Sequence, residues 1–194
     1  MLVLVEGAQT ATPDETTPGR LVAIVRETLA PVLGEAVFAG GTDFYFTELN
    51  RTRPEVETMD ALCYSIIPQV HAFDDISLIE TLEAQGETVE SARAFAEGKP
   101  VFISPVTLRR RFNPHAAGEE QEPEPGELPD TVDPRQPSLL AAVWTAGSIK
   151  YLAQVRAASV TYFETAGWRG VVEREAGSSL PSRFASAPGH VFPL

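Results

Sequence analysis

Apolar residues along this chain fall into short clusters separated by stretches of helical spacing, and the two patterns alternate. Residues 1–6 form an apolar run that reads as a buried strand. Thr17-Pro18 then predicts a helix start, with Thr17 as N-cap and Pro18 at the first helical position. Leu21, Ile24, Val25, Thr28, Leu29 and Val32 fall near one helical face, and Gly34 is a stop signal. Val37-Phe38-Ala39 predicts a second strand, closed by Gly40-Gly41, and residues 43–50 predict one or two helical turns. Residues 61–67 read as a third strand that ends at Pro68. A helix is predicted from Ser77, where Ser77-Leu78-Ile79-Glu80 has capping-box spacing. Gly86 interrupts it, a second helical stretch runs to about Glu97, and Gly98-Lys99-Pro100 ends it. Val101-Phe102-Ile103-Ser104 predicts the fourth strand. Residues 138–154 predict a helix with Leu140, Val143, Trp144, Gly147 and Tyr151 inward, and residues 159–163 predict a fifth strand. The tail after Val172 has little periodicity.

Strands alternating with helices imply a parallel sheet with right-handed crossovers. The fold class expected is α/β, closed either as an open doubly wound sheet or as part of a (β/α)8 TIM barrel. A full barrel has eight units and roughly 250 residues. Five strand signals in 194 residues therefore predict about five C-terminal units of a TIM barrel, in a single α/β domain over residues 1–194. Residues 112–137 form an acidic loop rich in Pro and Gly. Loops of that length are usually functional lids or disordered, and both readings stay open.

Charge narrows the partners. The formal net charge is −12, and apart from Arg109-Arg110-Arg111 the basic residues are scattered. Nucleic acid is an unsuitable partner, because phosphate neutralisation needs a basic face. A membrane surface is disfavoured for the same reason, and no apolar run approaches the roughly 20 residues of a membrane span. The first residues lack the basic flank and cleavage site of a signal peptide, so a cytoplasmic location is expected. With one cysteine, Cys63, no internal disulfide forms; its apolar setting predicts a buried structural thiol. No Cys/His spacing suits structural zinc, and nothing has the tight ligand spacing of a catalytic metal site, so no metal and no cofactor is expected. No phosphate-binding glycine motif and no G-x-S-x-G elbow is present.

In a parallel sheet the loops after the strands lie on one face, and the chemistry-bearing residues cluster in those loops. They are Thr42, Asp43, Asn50 and Arg51 after the second strand, Gln69, His71, Asp74 and Asp75 after the third, Arg109, Arg111 and Asn113 after the fourth, and Glu164, Thr165, Trp168 and Arg169 after the fifth. Glu164 closes a run of β-formers and is placed for acid or base work; its alternative is an ion pair with Arg169 or Arg109. His71 lies beside carboxylates and suits proton transfer, or it is a loop histidine bonded to a carbonyl. Asp74 is a weaker site candidate, and Asp75 reads as a helix cap. Asp43 follows a double glycine that allows close approach of a ligand, though a tight turn explains the glycines equally well. Arg109, Arg110 and Arg111 alternate along extended chain, and one or two of them suit an oxyanion or a carboxylate, or the run is solvated. Trp168 either stacks on a sugar-like ring or seals the floor of the site. His115 and His190 read as incidental, and Trp144 and Tyr151 as core.

Several longer blocks resemble one family. They are Gly40-Gly41-Thr42-Asp43-Phe44-Tyr45-Phe46 with Glu48-Leu49-Asn50-Arg51, and Tyr64-Ser65 with Pro68-Gln69-Val70-His71-Ala72-Phe73-Asp74-Asp75. Ile103-Ser104-Pro105-Val106-Thr107-Leu108-Arg109 with Arg111-Phe112-Asn113-Pro114 is a third. Val132-Asp133-Pro134-Arg135-Gln136, and Ser159-Val160-Thr161-Tyr162-Phe163-Glu164-Thr165 with Gly167-Trp168-Arg169-Gly170, complete the set. Together, over about residues 37–170, they resemble the C-terminal part of the D-apionate lactonase (D-apionolactonase) family. The resemblance implies a glycoside-hydrolase-type TIM barrel acting on a branched-sugar lactone. It assigns no catalytic residues.

Three readings follow. A lactone hydrolase would use Glu164 or His71 as general base, Asp43 or Asp74 to orient the histidine or bind hydroxyls, and Arg109 for the oxyanion or product carboxylate. Asn50 and Gln69 would bind hydroxyls, with Arg111, Asn113, Trp168 and Arg169 lining the substrate. A glycosidase would need two carboxylates about 5–10 Å apart, and a second obvious strand-end Glu is missing. A non-catalytic barrel fragment would self-associate to cover open sheet edges. The expected partners are a small carbohydrate-derived substrate and a second copy of the chain.

Overall fold

The computed structural model describes the backbone of β1 (Leu2–Leu4) and all of residues 16–111 and 123–194. The other strands are β2 (Phe38–Gly41), β3 (Ala61–Ile66), β4 (Val101–Val106), β5 (Ser159–Tyr162), β6 (Glu164–Ala166) and β7 (Gly170–Val172). The helices are α1 (Gly19–Leu33), α2 (Phe46–Arg51), α3 (Asp75–Glu80), α4 (Ala84–Arg93) and α5 (Leu139–Gln154). Strands β1 to β5 form one sheet in chain order, and β1–β2 and β2–β3 pair in parallel. This is the α/β architecture expected of strand–helix repeats, with β1 and β5 at the sheet edges among the described residues. No described helix is long and apolar enough to cross a membrane.

The chain divides into two compact units. The first comprises Met1–Ile66, Gly86–Pro105 and Gln154–Thr161. Its core runs along the sheet, where every residue of β2 and β3 is buried, and Ala39, Ala61 and Cys63 pack with Phe102. The buried setting expected for Cys63 is observed. Two expectations for α1 change. Thr17 does not cap the helix: its hydroxyl accepts from the Gly41 N–H and donates to the Gly41 carbonyl, each at 3.1 Å, so Pro18 stands at the cap position. The buried face also differs. Val22 is buried, whereas Ile24 and Val32 are 56% and 80% exposed. The docked stripe is Gly19, Val22 and Arg26. A Cβ on Gly19 would lie 2.2 Å from Glu55 Oε2, and Arg26 donates to Asp60 at 2.9 Å while its guanidinium covers the Phe38 ring. Small size and an ion pair, rather than apolar count, select the face. Gly34 ends the helix as expected, with φ 59° and its N–H on the Ala30 carbonyl.

The second unit comprises Ile67–Gln85, Val106–Ala153 and Tyr162–Leu194. Helix α3 starts two residues before the expected Ser77, because Asp74 is the N-cap. Its carboxylate accepts the Ser77 N–H at 2.9 Å and the Ser77 hydroxyl at 2.8 Å. Helix α5 buries Ala141, Trp144, Thr145, Ser148 and Leu152, and Val143 turns out to solvent. Apolar residues are spread around α5 instead of forming one stripe, so their spacing alone does not choose the buried face. Here Ser148 meets the Tyr162 hydroxyl at 2.9 Å and Gln85 Oε1, and Gly147 admits Leu82 so closely that a Cβ would sit 2.7 Å away. The described part of the acidic loop, residues 123–137, packs into this unit: Val132, Asp133 and Gln136 are buried. The aperiodic tail also contributes, as Phe184 and Phe192 cluster with Val132, Leu128 and Trp168. Glu173, 2% exposed, accepts from the Arg174 N–H and the Ser186 hydroxyl.

Candidate active site

In the second unit the segments that follow β3 and β4 meet at one buried carboxylate. The chain leaves β3 into residues 67–74 and leaves β4 into residues 107–111. Asp133, from the acidic loop, sits between them with its side chain 1% exposed. Its Oδ2 accepts from Gln69 Nε2 at 2.6 Å, Arg135 Nη2 at 2.8 Å and Arg109 Nε at 3.3 Å. Its Oδ1 accepts from the Arg135 N–H and Nε, both at 2.9 Å. A buried charge is tolerated only when paired and bonded in this way. Burial pushes the Asp133 carboxyl up, but the bonds from Arg135 and Gln69 outweigh it and hold the group at about 2, against an ordinary 3.8. The same contact holds Arg135 further in its charged form. Arg135 also reaches Asp75 and Gln69 Oε1, each at 2.6 Å.

Gln69 is saturated. Its Nε2 donates to the Leu108 carbonyl at 2.7 Å as well as to Asp133, so its amide ties down the residue before Arg109. Thr107 adds a second tie, its hydroxyl donating to the Arg109 carbonyl at 2.8 Å. The Arg109 guanidinium carbon lies 4.8 Å from the centroid of the Phe73 ring, a cation–π distance. Among the described residues neither terminal nitrogen of Arg109 has a hydrogen-bond partner. The group is 23% exposed, so it presents two free donors of a rigid fork.

Glu164 opens β6 directly after Phe163, a bulky residue at φ 53°. The Phe163 N–H bonds the Val106 carbonyl at 3.1 Å, and the left-handed turn there sends the chain out of the main sheet into the β6–β7 pair. Backbone strain of this kind concentrates at functional positions. Glu164 pairs with Arg169 at 2.8 Å, and not with Arg109.

The remaining candidates are placed as follows. His71 is exposed on the loop after β3. Asp74 spends its carboxylate on the α3 cap. Trp168 donates to Ser178 Oγ at 2.8 Å and packs 6.4 Å from Phe184, which makes it part of a core cluster. Arg111 is half-buried, and Asn113 lies outside the described residues. Asp43 and Asn50 belong to the first unit; the Asp43 carbonyl accepts from Ser65, and Asn50 Oδ1 accepts from Arg53 at 3.1 Å. Among the described residues no group of three His, Cys, Asp or Glu side chains is arranged to hold a metal ion. Residue-by-residue reading assigned no role to Asp133 or Arg135. One signal was available: Arg135 is the sole Lys or Arg between Arg111 and Lys150, and it stands two residues from an aspartate in an otherwise acidic loop.

A family model described as the TIM barrel domain of D-apionate lactonase matches residues 1–194. This chain belongs to the D-apionate lactonase family. A D-apionate lactonase of Brucella anthropi is 40% identical over 88 residues, a stretch covering 45% of this chain and 14% of that protein. The chain thus spans a small part of that relative's length. Within this D-apionate lactonase family domain, the parallel strands β1 to β3 and the alternating helices correspond to the TIM-barrel description.

Proposed function

We propose that this chain opens a sugar lactone of the D-apionolactone type by hydrolysis. The observation that carries the reading is the match of a D-apionate lactonase domain across the chain, supported by the kinship with the Brucella anthropi enzyme. The chemistry asks for three things: a base for water, donors for the oxyanion, and contacts for hydroxyls. Glu164 takes a proton from the attacking water as its oxygen bonds to the lactone carbonyl carbon, and His71 is the second candidate for that step. Negative charge gathers on the carbonyl oxygen and meets the free Arg109 donors. The ring C–O bond then breaks, the protonated base returns its proton to the leaving alkoxide, and the new carboxylic acid releases its remaining proton to solvent, which leaves the product carboxylate opposite Arg109. Arg169, paired with Glu164, orients it. Gln69 and Asp74 act on the loops, Gln69 by holding Leu108 and Asp74 by capping α3. Arg111, Asn113 and Trp168 are the candidate contacts to substrate hydroxyls and ring.

The test is NMR-monitored hydrolysis of D-apionolactone, with the spontaneous rate subtracted and aryl glycosides as a parallel substrate. Enzyme-dependent opening that is lost in Glu164→Gln or in His71→Ala supports the reading and selects the base. Turnover of glycosides without lactone opening overturns it.

A further inference from the structure

We propose that Asp133 is a positioning residue, which clamps Arg109 through Nε so that both terminal nitrogens form a fork for an oxyanion or carboxylate. The identity of that anion rests on the lactonase reading; the clamp does not. An arginine on a loop has four rotatable side-chain bonds, and a donor that must be ordered during reaction contributes less than one already in place. Here three contacts remove that freedom. Asp133 Oδ2 accepts the Nε–H at 3.3 Å, the Phe73 ring covers one face of the guanidinium, and Gln69 and Thr107 fix the backbone at Leu108 and Arg109.

The rest of the network explains why a carboxylate can stand there. Asp133 carries one negative charge against two guanidinium groups, Arg109 and Arg135, and Arg135 divides its charge with Asp75. Asp133 is saturated by Arg135 and Gln69 at 2.6 to 2.9 Å, so the longer 3.3 Å bond to Arg109 steers it without neutralising it. Among the described residues Arg109 keeps unpaired donors at Nη1 and Nη2, whereas Arg135 donates from both of its terminal nitrogens. Two arginines of one network thus divide into a structural one and a presenting one.

Two readouts test this on the full chain. The first is independent of activity: NMR measurement of solvent exchange at arginine Nε–H, with Arg109 assigned by its loss in Arg109→Lys. The Arg109 proton should exchange at least about 10-fold more slowly than that of exposed Arg183. In Asp133→Asn it should approach the Arg183 rate. Exchange in the wild type as fast as at Arg183 overturns the clamp, whether or not the chain hydrolyses a lactone. The second readout is kinetic. Arg109→Ala should lower kcat by about 100-fold, Asp133→Asn by about 10-fold with KM changed less, and the double variant should be no slower than Arg109→Ala. Multiplying losses in the double variant overturn the proposal. Should Asp133→Asn not fold, Arg109→Lys decides the matter. It keeps the charge and leaves Asp133 its Gln69 and Arg135 partners, so a kcat as low as in Arg109→Ala supports the clamped fork and a wild-type kcat refutes it. A wild type with no lactone hydrolysis but slow Arg109 exchange refutes the lactonase reading alone.

Discussion

Glu164 and Arg169 meet twice across the β6–β7 pair: the Glu164 N–H donates to the Arg169 carbonyl at 3.0 Å, and Arg169 Nη2 donates to Glu164 Oε1 at 2.8 Å. The side chains are 42% and 36% exposed, so the ion pair adds only about 0–1 kcal/mol to stability. Glu164→Gln should therefore leave the thermal midpoint within about 3 °C of wild type while lowering lactone turnover by about 100-fold or more. Circular-dichroism melting beside the NMR assay separates the two effects. A variant that hydrolyses at the wild-type rate removes Glu164 from the mechanism.

The Asp133 carboxyl lies at about 2 when folded and near 3.8 when unfolded. A depressed carboxylate contributes stability above its unfolded value and loses it as pH falls through its folded value. Its contribution, about 2 kcal/mol, should be complete above pH about 4 and vanish toward pH about 2. Urea midpoints between pH 5 and 2 should therefore drop more steeply for the wild type than for Asp133→Asn. Parallel acid limbs would show that Asp133 is not the group that titrates.

Asp74 caps α3 through both the N–H and the hydroxyl of Ser77, and those bonds hold its carboxyl below the usual aspartate range. Asp74→Ala should lower the urea midpoint, and Asp74→Asn or Asp74→Ser should restore most of it. A rise in KM that survives in Asp74→Asn, with the cap intact, would assign the residue a contact with substrate beyond its cap.

Gly41 ends β2 at φ 151°, and a Cβ there would stand 1.9 Å from the Cys63 carbonyl oxygen. The obstacle is the backbone of the neighbouring strand, so no side-chain rotation relieves it. Gly41→Ala should cost about 3 kcal/mol or more, whereas Gly34→Ala, at φ 59° with open space around it, should cost about 1 kcal/mol. Equal unfolding midpoints for the two variants would contradict the close approach.

The alternation of apolar runs and helical spacing was enough to place β2, β3, β5, α1 and α5 within a residue or two, to make the sheet parallel, and to name the loops that carry the polar residues. These depend on neighbours in the chain, where period and turn chemistry act. The long blocks around Asp43, Gln69, Arg109, Asp133 and Glu164 were likewise enough to point to the family. What depends on distant residues was not legible. The buried faces of α1 and α5 turn on Glu55, Asp60, Gln85 and Tyr162, each well removed along the chain. The role of Asp133 arises only when segments 64 and 24 residues away bring Gln69 and Arg109 to one carboxylate. Local pattern records which groups are polar; only tertiary packing decides which of them must be satisfied by one another and which, like the terminal nitrogens of Arg109, are left without a partner among the described residues.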